Sequence, residues 1–268
     1  MMKQFKSSAE LKASAREHLL GHYGTVIGAY VILAALLGTV SLAVTLLVNL
    51  QTVIGTVIYY AIMFLVSVLT GLFTSGSCYL YLKIICGRPV SVGDMFYGFQ
   101  LCPDKAIVIQ AWISLITYLA NLPQIILNYK LNAYTSSYQT DLLFSPVTPS
   151  QVQMDKILDL MLPYSLSLIL SGVVSVMLAL FYAQAFYLLH DFPQYTAKEL
   201  LKKSRRLMVH HKGRLFYLYV SFIPLMLLGL LSCGIALLWV VPYMAATEAA
   251  FFLDLVQNNT EAVAKVDK

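Results

Sequence analysis

Glu248 is the charged residue placed most deeply within the apolar parts of this sequence. It is the only Asp, Glu, Lys or Arg between residues 215 and 253, and it follows Pro242 and Tyr243 in WVVPYMAATEAAFF. Charge in the core of a membrane costs at least about 2.5 to 3.5 kcal/mol on insertion scales, which makes such a residue a functional candidate. Glu248 is predicted either to bind a proton or cation at a proline kink, or to pair with nearby Lys or Arg and hold its helix in place.

A second group of polar residues lies in the uncharged run between residues 106 and 128. Its members are Gln110, Asn121, Gln124 and Asn128, with Pro123 among them. Hydrogen bonds between helices explain such side chains, and a polar passage for a substrate is the alternative. If the protein is a transporter, Glu248, Gln110, Asn121 and Gln124 are its predicted transport site.

The third candidate is a basic stretch, KELLKKSRRLMVHHKGRLFYLY, that begins at Lys198. Its cations are Lys198, Lys202, Lys203, Arg205, Arg206, Lys212 and Arg214. Thr196 and Glu199 form a capping box that predicts a helix. Leu200, Ser204, Leu207, Met208 and His211 would then form one stripe, with cations on the remaining surface. The pattern predicts a helix in the membrane interface whose cations bind anionic lipid headgroups, although a positive-inside anchor without lipid specificity also explains the charge.

Other chemistry has little support in the sequence. His18 and His22 are four residues apart, and His210 and His211 could converge on them, but no HExxH motif or further ligand accompanies them, so no metal is predicted. The sequence contains no Gly-rich phosphate loop, GxSxG elbow or paired carboxylate motif, and the short loops leave no room for a catalytic domain. We therefore expect no enzyme activity and no cofactor, and the basic stretch lacks the aromatic interleaving typical of nucleic-acid binding.

The elements that carry these residues are apolar runs long enough to cross a bilayer. The chain has 268 residues, 59% hydrophobic and 12% charged, with a mean hydropathy of +0.74, and a span needs roughly 20 apolar residues. The prediction is an all-α polytopic membrane helix bundle, a single transmembrane domain over residues 1–268. Its six transmembrane helices are predicted at about 24–50, 53–82, 106–128, 163–189, 215–231 and 235–255, the last two separated at Ser232, Cys233 and Gly234.

The distribution of Lys and Arg predicts the orientation. Sixteen of the eighteen lie in the N-terminal arm, the loops after the second and fourth spans, and the C-terminal tail, leaving Lys130 and Lys156 on the other side. Since cytoplasmic loops retain Lys and Arg, both termini are predicted to be cytoplasmic and residues 129–162 external. The predicted localisation is the cytoplasmic membrane.

The N-terminus repeats the arrangement of the basic stretch. Ser7 and Glu10 form another capping box. Five residues recur as the same type 189 positions later in the chain: Glu10 and Glu199, Leu11 and Leu200, Arg16 and Arg205, His22 and His211, Gly24 and Gly213. This indicates two similarly placed elbow helices, each ahead of a span, of the kind found in internal repeats. Amphipathic interfacial helices are accordingly predicted at about 7–20 and 197–211, with a third at 149–162 that starts at Thr148 and Pro149 and ends at Pro163.

Two parts of the sequence resemble a known family. The run LLKKSRRLMVHHKGRLFYLYVSFIPLMLLGLLSCGIALLWVVPYMAATEAAFF and the leader ELKASAREHLLGHYG resemble the bacterial integral membrane family called domain of unknown function 975. The resemblance rests on a K-S-R elbow, on L-x-x-S-F-I and G-I-x-x-L-W-x-x-P-Y at the starts of spans five and six, and on an aromatic close. It implies a polytopic membrane protein without an established activity, and it assigns no functional residue. Pro224 stands where the family pattern leads us to expect tryptophan.

Two functions are consistent with these patterns. The leading prediction is a non-enzymatic membrane module that binds anionic lipid headgroups or partner proteins, a membrane protein or a second copy of itself, through the basic elbows. The alternative is a small transporter or transporter subunit with a polar site around the third span and Glu248.

Overall fold

The computed structural model describes residues 5–50, 52–142 and 151–264. These ranges form ten α-helices and one 3-10 helix, without a strand. The predicted all-α fold is confirmed, and so are six helical segments long and apolar enough to cross a membrane. Helices are expected there, because a helix satisfies its own backbone hydrogen bonds in lipid.

The helices are named in chain order. They are α1 (Ser8–Leu19), α2 (Tyr23–Leu47), α3 (Val53–Ile85), the 3-10 helix (Val92–Phe99), α4 (Pro103–Leu142), α5 (Gln151–Tyr182), α6 (Ala185–Asp191), α7 (Ala197–Leu207), α8 (Lys212–Val220), α9 (Ile223–Leu231) and α10 (Leu237–Ala264). The six apolar segments are Tyr23–Leu47, Val53–Ile85, Pro103–Leu131, Leu158–Asp191, Lys212–Leu231 and Leu237–Asn258. The fourth is built from α5 and α6, and the fifth from α8 and α9.

The structure corrects the prediction for the segment between the third and fourth spans. α4 continues to Leu142, past the predicted end at 128, and α5 runs unbroken through Pro163, which was predicted to end a separate helix over 149–162. A proline removes one backbone hydrogen bond, whereas ending the helix in apolar surroundings would leave several groups unsatisfied. The predicted capping residues Thr148 and Pro149 lie outside the described residues.

The long apolar stretch near the C-terminus is divided into two helices. α9 ends at Leu231, and α10 begins at Leu237. Cys233 and Gly234 between them have φ angles of 53° and 89°, a left-handed conformation that reverses the chain and is typical after a helix end. α10 then continues through Pro242 without a break.

The chain divides into two compact units. The first comprises residues 1–37, 68–111 and 179–268, and the second comprises 38–67 and 112–178. In the first unit, α10 is the most buried of the apolar segments, with more than half of its most apolar part buried, and α1, α7 and α9 all contact it. In the second unit, α3 and α4 meet through a Ser67–Ser114 hydroxyl hydrogen bond of 2.8 Å and an edge-to-face pair of Phe64 and Tyr118.

The 3-10 helix folds back against α3 in the first unit. Gly76 of α3 lies against the backbone of Met95, and Gly98 of the 3-10 helix lies against the backbone of Leu72, so closely that a Cβ at either glycine would overlap a carbonyl oxygen. The Tyr79 and Tyr97 rings stack beside these contacts with centroids 3.9 Å apart. The segment between α3 and α4 therefore packs closely on α3 through this 3-10 helix.

Candidate functional site

The basic stretch forms α7, whose start is fixed by the predicted capping box. Thr196 Oγ1 accepts the Glu199 N–H, and the Glu199 carboxylate accepts the Thr196 N–H at 2.8 Å. These two hydrogen bonds satisfy backbone N–H groups that have no partner within the first turn of a helix. The start of the basic helix is thus set by local sequence.

One side of α7 is covered by protein. Four residues of the predicted stripe, Leu200, Ser204, Leu207 and Met208, are buried, whereas the fifth, His211, is half-buried and lies beyond the end of α7. α7 contacts α6 and α10, and Ser204 Oγ donates to the Phe181 carbonyl at 3.0 Å. The stripe is therefore one face of the helix, as predicted, but it packs on neighbouring helices. Contact with lipid is left to the opposite side.

The seven cations of the basic stretch fall into two groups. Three of them are buried or half-buried and have partners within the first unit. Lys203 lies over the Tyr195 ring, Lys212 lies over the Phe181 ring, and Arg214 forms an ion pair with the buried Asp254. The other four side chains are exposed, although the Arg205 guanidinium also lies 5.6 Å from the centroid of the Phe181 ring: Lys198, Lys202, Arg205 and Arg206. We call these four residues the cationic face.

The N-terminal elbow has the same backbone as the basic elbow. Its cap Ser7 and the helix start Ser8 lie 189 positions before Thr196 and Ala197, and the α2 start Tyr23 lies 189 positions before the α8 start Lys212. Gly21 and His210, also 189 apart, both adopt positive φ, at 88° and 67°. Both capping boxes are closed, and hydrogen bonds from Ser7 hold the pKa of Glu10 below its ordinary value.

The burial pattern of the two elbows agrees as well. Five pairs of residues separated by 189 positions are buried in both copies: Leu11 and Leu200, Ala15 and Ser204, Leu19 and Met208, Val26 and Leu215, Ala29 and Leu218. α1 packs on α10 and α8, and Lys12 Nζ donates to the Ser221 carbonyl at 2.9 Å, where partial burial lowers its pKa. The predicted similarity therefore extends through cap, helix, turn and the start of the following helix.

Glu248 lies within the first unit. The Tyr219 hydroxyl of α8, the Cys78 thiol and the Tyr187 hydroxyl lie close enough to its carboxyl group to interact with it electrostatically. Among the described residues, the ion pairs join Lys83 to Asp94 and Arg214 to Asp254. The predicted pairing of Glu248 with Lys or Arg does not occur among them.

The other predicted transport residues are divided between the units. Gln110 belongs to the first unit, where its Cβ lies near Gly71, whereas Asn121 and Gln124 belong to the second. These two line a cleft of about 310 Å³ formed by Tyr60, Tyr118, Asn121, Gln124, Ile125 and Asn128. We call it the polar cleft. The structure thus brings together two of the four predicted residues and adds Asn128.

The predicted histidines take part in separate contacts. His18 Nδ1 lies 2.8 Å from the Ser14 carbonyl, and the His211 ring packs edge-on against Phe5 with centroids 4.7 Å apart. No group of three or more His, Cys, Asp or Glu in the described ranges could hold a metal ion.

Sequence reasoning missed three functional or structural partners. Tyr60 and Tyr118 complete the polar cleft, and Asp254 holds Arg214. The spacing of Tyr118 at three residues before Asn121 and seven before Ile125 places it on the same helical face, a signal that was available. Asp254 ends the last apolar stretch, but its partner lies 40 residues away, and no local pattern indicates that pairing.

Comparison with known proteins identifies a family but no activity. Residues 1–259 match the family described as Protein of unknown function (DUF975). Neither the curated proteins nor the solved structures contain a match to this chain. Because the match extends over nearly the whole sequence, including both elbows and all six apolar helices, the chain belongs to the DUF975 family.

Proposed function

We propose that this protein is a non-enzymatic membrane module that binds anionic lipid headgroups through the cationic face of α7. The observation that supports this is the separation of the seven basic side chains into three buried or half-buried ones and four exposed ones. Lys202 lies four residues after Lys198, and Arg205 and Arg206 lie three and four residues after Lys202. Side chains at this spacing are neighbours on a helix surface, so the four cations project to one side of α7. One exposed carboxylate, Glu199, lies on the same helix.

The docking of α7 favours binding. Its apolar stripe is already buried and its first turn is capped, so a headgroup would not have to order the helix. Preorganisation of this kind lowers the entropic cost of association. Each Lys or Arg near an anionic surface contributes about 1 kcal/mol, which makes four cations on one face sufficient for lipid selectivity.

The test measures lipid retention by the full-length protein. The protein is equilibrated in micelles with equal amounts of dioleoyl phosphatidate and dioleoyl phosphatidylcholine, and retained lipids are counted by native mass spectrometry. We expect the wild type to retain phosphatidate selectively, and the variant with Lys198, Lys202, Arg205 and Arg206 replaced by Gln to lose this selectivity. Selectivity should also fall as salt rises, because the Debye length shortens.

The matching control removes cations that have protein partners. Lys203→Gln and Lys212→Gln together take away two positive charges but leave the cationic face intact. Unchanged phosphatidate selectivity in this variant supports the proposal. A wild type without selectivity, or an equal loss in both variants, contradicts it. Selective binding of an acidic protein in place of phosphatidate would assign the face to a protein partner.

We also propose that the cationic face lies on the cytoplasmic side of the membrane, with both termini. Two native cysteines test this orientation, because Cys86 and Cys233 are both exposed and the proposed topology places them on opposite sides. A membrane-impermeant maleimide applied to intact cells should label Cys233 and spare Cys86. Cys233→Ser and Cys86→Ser variants identify the labelled site, and labelling of Cys86 alone would reverse the orientation.

A further inference from the structure

The polar cleft is a cavity without charged residues in an apolar part of the chain. Five of its six lining residues are polar, and none is ionisable as an acid or a basic group near neutral pH: Tyr60, Tyr118, Asn121, Gln124 and Asn128. All of them are half-buried. Ligand cavities in proteins begin at about 300 Å³, so the volume of about 310 Å³ suits a group of the size of one sugar ring.

The amides of the cleft keep hydrogen-bonding capacity. Asn121 Nδ2 donates to the Thr117 carbonyl at 2.8 Å, and Gln124 Oε1 accepts from Ser171 Oγ at 3.2 Å. In the described part of the chain, the side-chain carbonyl of Asn121 and the side-chain amino group of Gln124 take no part in these two hydrogen bonds. One cleft amide thus offers an acceptor and the other a donor.

The position of the cleft along its helices places it at a definite depth. Asn128 lies three residues and Tyr118 thirteen residues before Leu131, where the apolar part of α4 ends, which corresponds to about 4.5 and 20 Å along a helix. Tyr60 lies seven residues after the start of α3. The cleft therefore extends from near the end of the apolar segment, at the depth of lipid headgroups, to about its middle.

We propose that the polar cleft binds an uncharged, hydroxyl-rich group, such as the sugar ring of a glycolipid or a free sugar. A hydroxyl both donates and accepts hydrogen bonds, which matches the mixed amide and phenol groups. The tyrosine rings offer apolar faces for the C–H surface of a ring. An ionised headgroup is disfavoured, because the cleft has no opposite charge to offset its desolvation.

The test uses the full-length protein in micelles that contain one of three lipids. These are dioleoyl monoglucosyl diacylglycerol, dioleoyl phosphatidylcholine and dioleoyl phosphatidate, with retained lipid counted by native mass spectrometry. We expect about one glucosyl lipid to be retained per chain in preference to phosphatidylcholine. Asn121→Leu and Gln124→Leu should each weaken this retention roughly tenfold, as expected for the loss of one hydrogen bond to a ligand hydroxyl.

Two controls make the outcome specific. Gln110→Leu removes an amide from the same helix but outside the cleft, and it should leave retention unchanged. The variant that lacks the cationic face should also keep the glucosyl lipid, so that failure of this proposal and failure of the phosphatidate proposal are distinguishable. Apolar substitutions are tolerated in membrane helices, and circular dichroism verifies the helix content of each variant.

Each outcome decides the proposal or its ligand source. Competition by free glucose would identify a soluble sugar as the ligand, whereas retention that glucose leaves unchanged would identify a glycolipid. Three results would overturn the proposal: no preference for the glucosyl lipid in the wild type, an equal loss in Gln110→Leu, or a cleft-dependent preference for phosphatidate.

Discussion

The α1 elbow (residues 7–22) and the α7 elbow (residues 196–211) share a backbone but differ in their surface charge. Caps, helix starts and positive-φ turns coincide at a spacing of 189 residues. Around α1, the exposed charges are Lys6, Arg16, Glu10 and Glu17, which balance. On α7, they are Lys198, Lys202, Arg205, Arg206 and Glu199, a net charge of +3.

This difference separates what the fold requires from what a ligand requires. The shared features, capped helix starts and a buried stripe, stabilise any elbow at the beginning of an apolar helix. The α1 elbow forms without an excess of cations, so the capping and packing of an elbow do not require it. The cationic face of α7 is therefore the part of the pair that best supports a binding function.

The largest effect should come from the ion pair that secures only one of the elbows. Asp254 accepts the Lys6 N–H at 3.2 Å and pairs with Arg214, and its side chain is 3% exposed. Asp254→Asn should destabilise the protein by about 3 kcal/mol or more, because it leaves a partly buried Arg unpaired. Hydrogen exchange should accelerate in α1 and stay unchanged in α7.

The control for this variant is Glu17→Gln, which changes an exposed charge on α1. Its thermal unfolding should match that of the wild type, since exposed charges contribute little to stability. Equal acceleration of exchange in α1 and α7 upon Asp254→Asn would show that the two elbows depend on one another, against the comparison drawn above.

The caps should have intermediate and equal effects. Ser7→Ala and Thr196→Ala each remove the hydroxyl that accepts the N–H of the third residue of a helix, a loss of about 1 kcal/mol. Thermal unfolding of both variants measures the cost, and local hydrogen exchange assigns it to α1 or α7. A cost at only one cap would mean that the two helix starts are not equivalent in energy.

The two turns should have effects no larger than those of the caps, and the effects at the two turns should differ in sign. Gly21 has a positive φ with nothing near its Cβ position, so Gly21→Ala should destabilise by about 1 kcal/mol through backbone strain alone. His210 adopts the same conformation without being glycine. His210→Gly should therefore leave stability unchanged or raise it slightly, as thermal unfolding would measure, and a clear loss would assign the His210 side chain a stabilising contact.

The sequence predicted what local pattern and composition determine. Uncharged runs indicate the six apolar helices, and Ser7, Glu10, Thr196 and Glu199 indicate both helix starts, because caps act over three residues. The helix break at Pro163 was wrong, and α4 continues to Leu142, past the third apolar segment, which ends at Leu131 close to the predicted 128. Length statistics do not show that a helix continues past the membrane, and a proline in apolar surroundings need not end a helix.

The partners of the candidate residues were harder to predict. The stripe of α7 was visible in the sequence, but whether lipid or protein covers it depends on the tertiary position of α10. The same limit applies to Asn121 and Gln124, which line one cavity, and to Gln110, which belongs to the other unit although it lies on the same helix. Helical spacing gives the direction of a side chain and leaves its neighbours undetermined.

One comparison tests the central claim most directly. Lys202→Gln with Arg206→Gln removes one lysine and one arginine from α7, and Lys6→Gln with Arg16→Gln removes one of each around α1. In the α7 variant the binding free energy of phosphatidate to the full-length protein should weaken by about 2 kcal/mol, which lowers its affinity roughly 30-fold. In the α1 variant phosphatidate retention should stay at the wild-type level. Equal retention by the two variants would contradict a lipid-binding role for the cationic face.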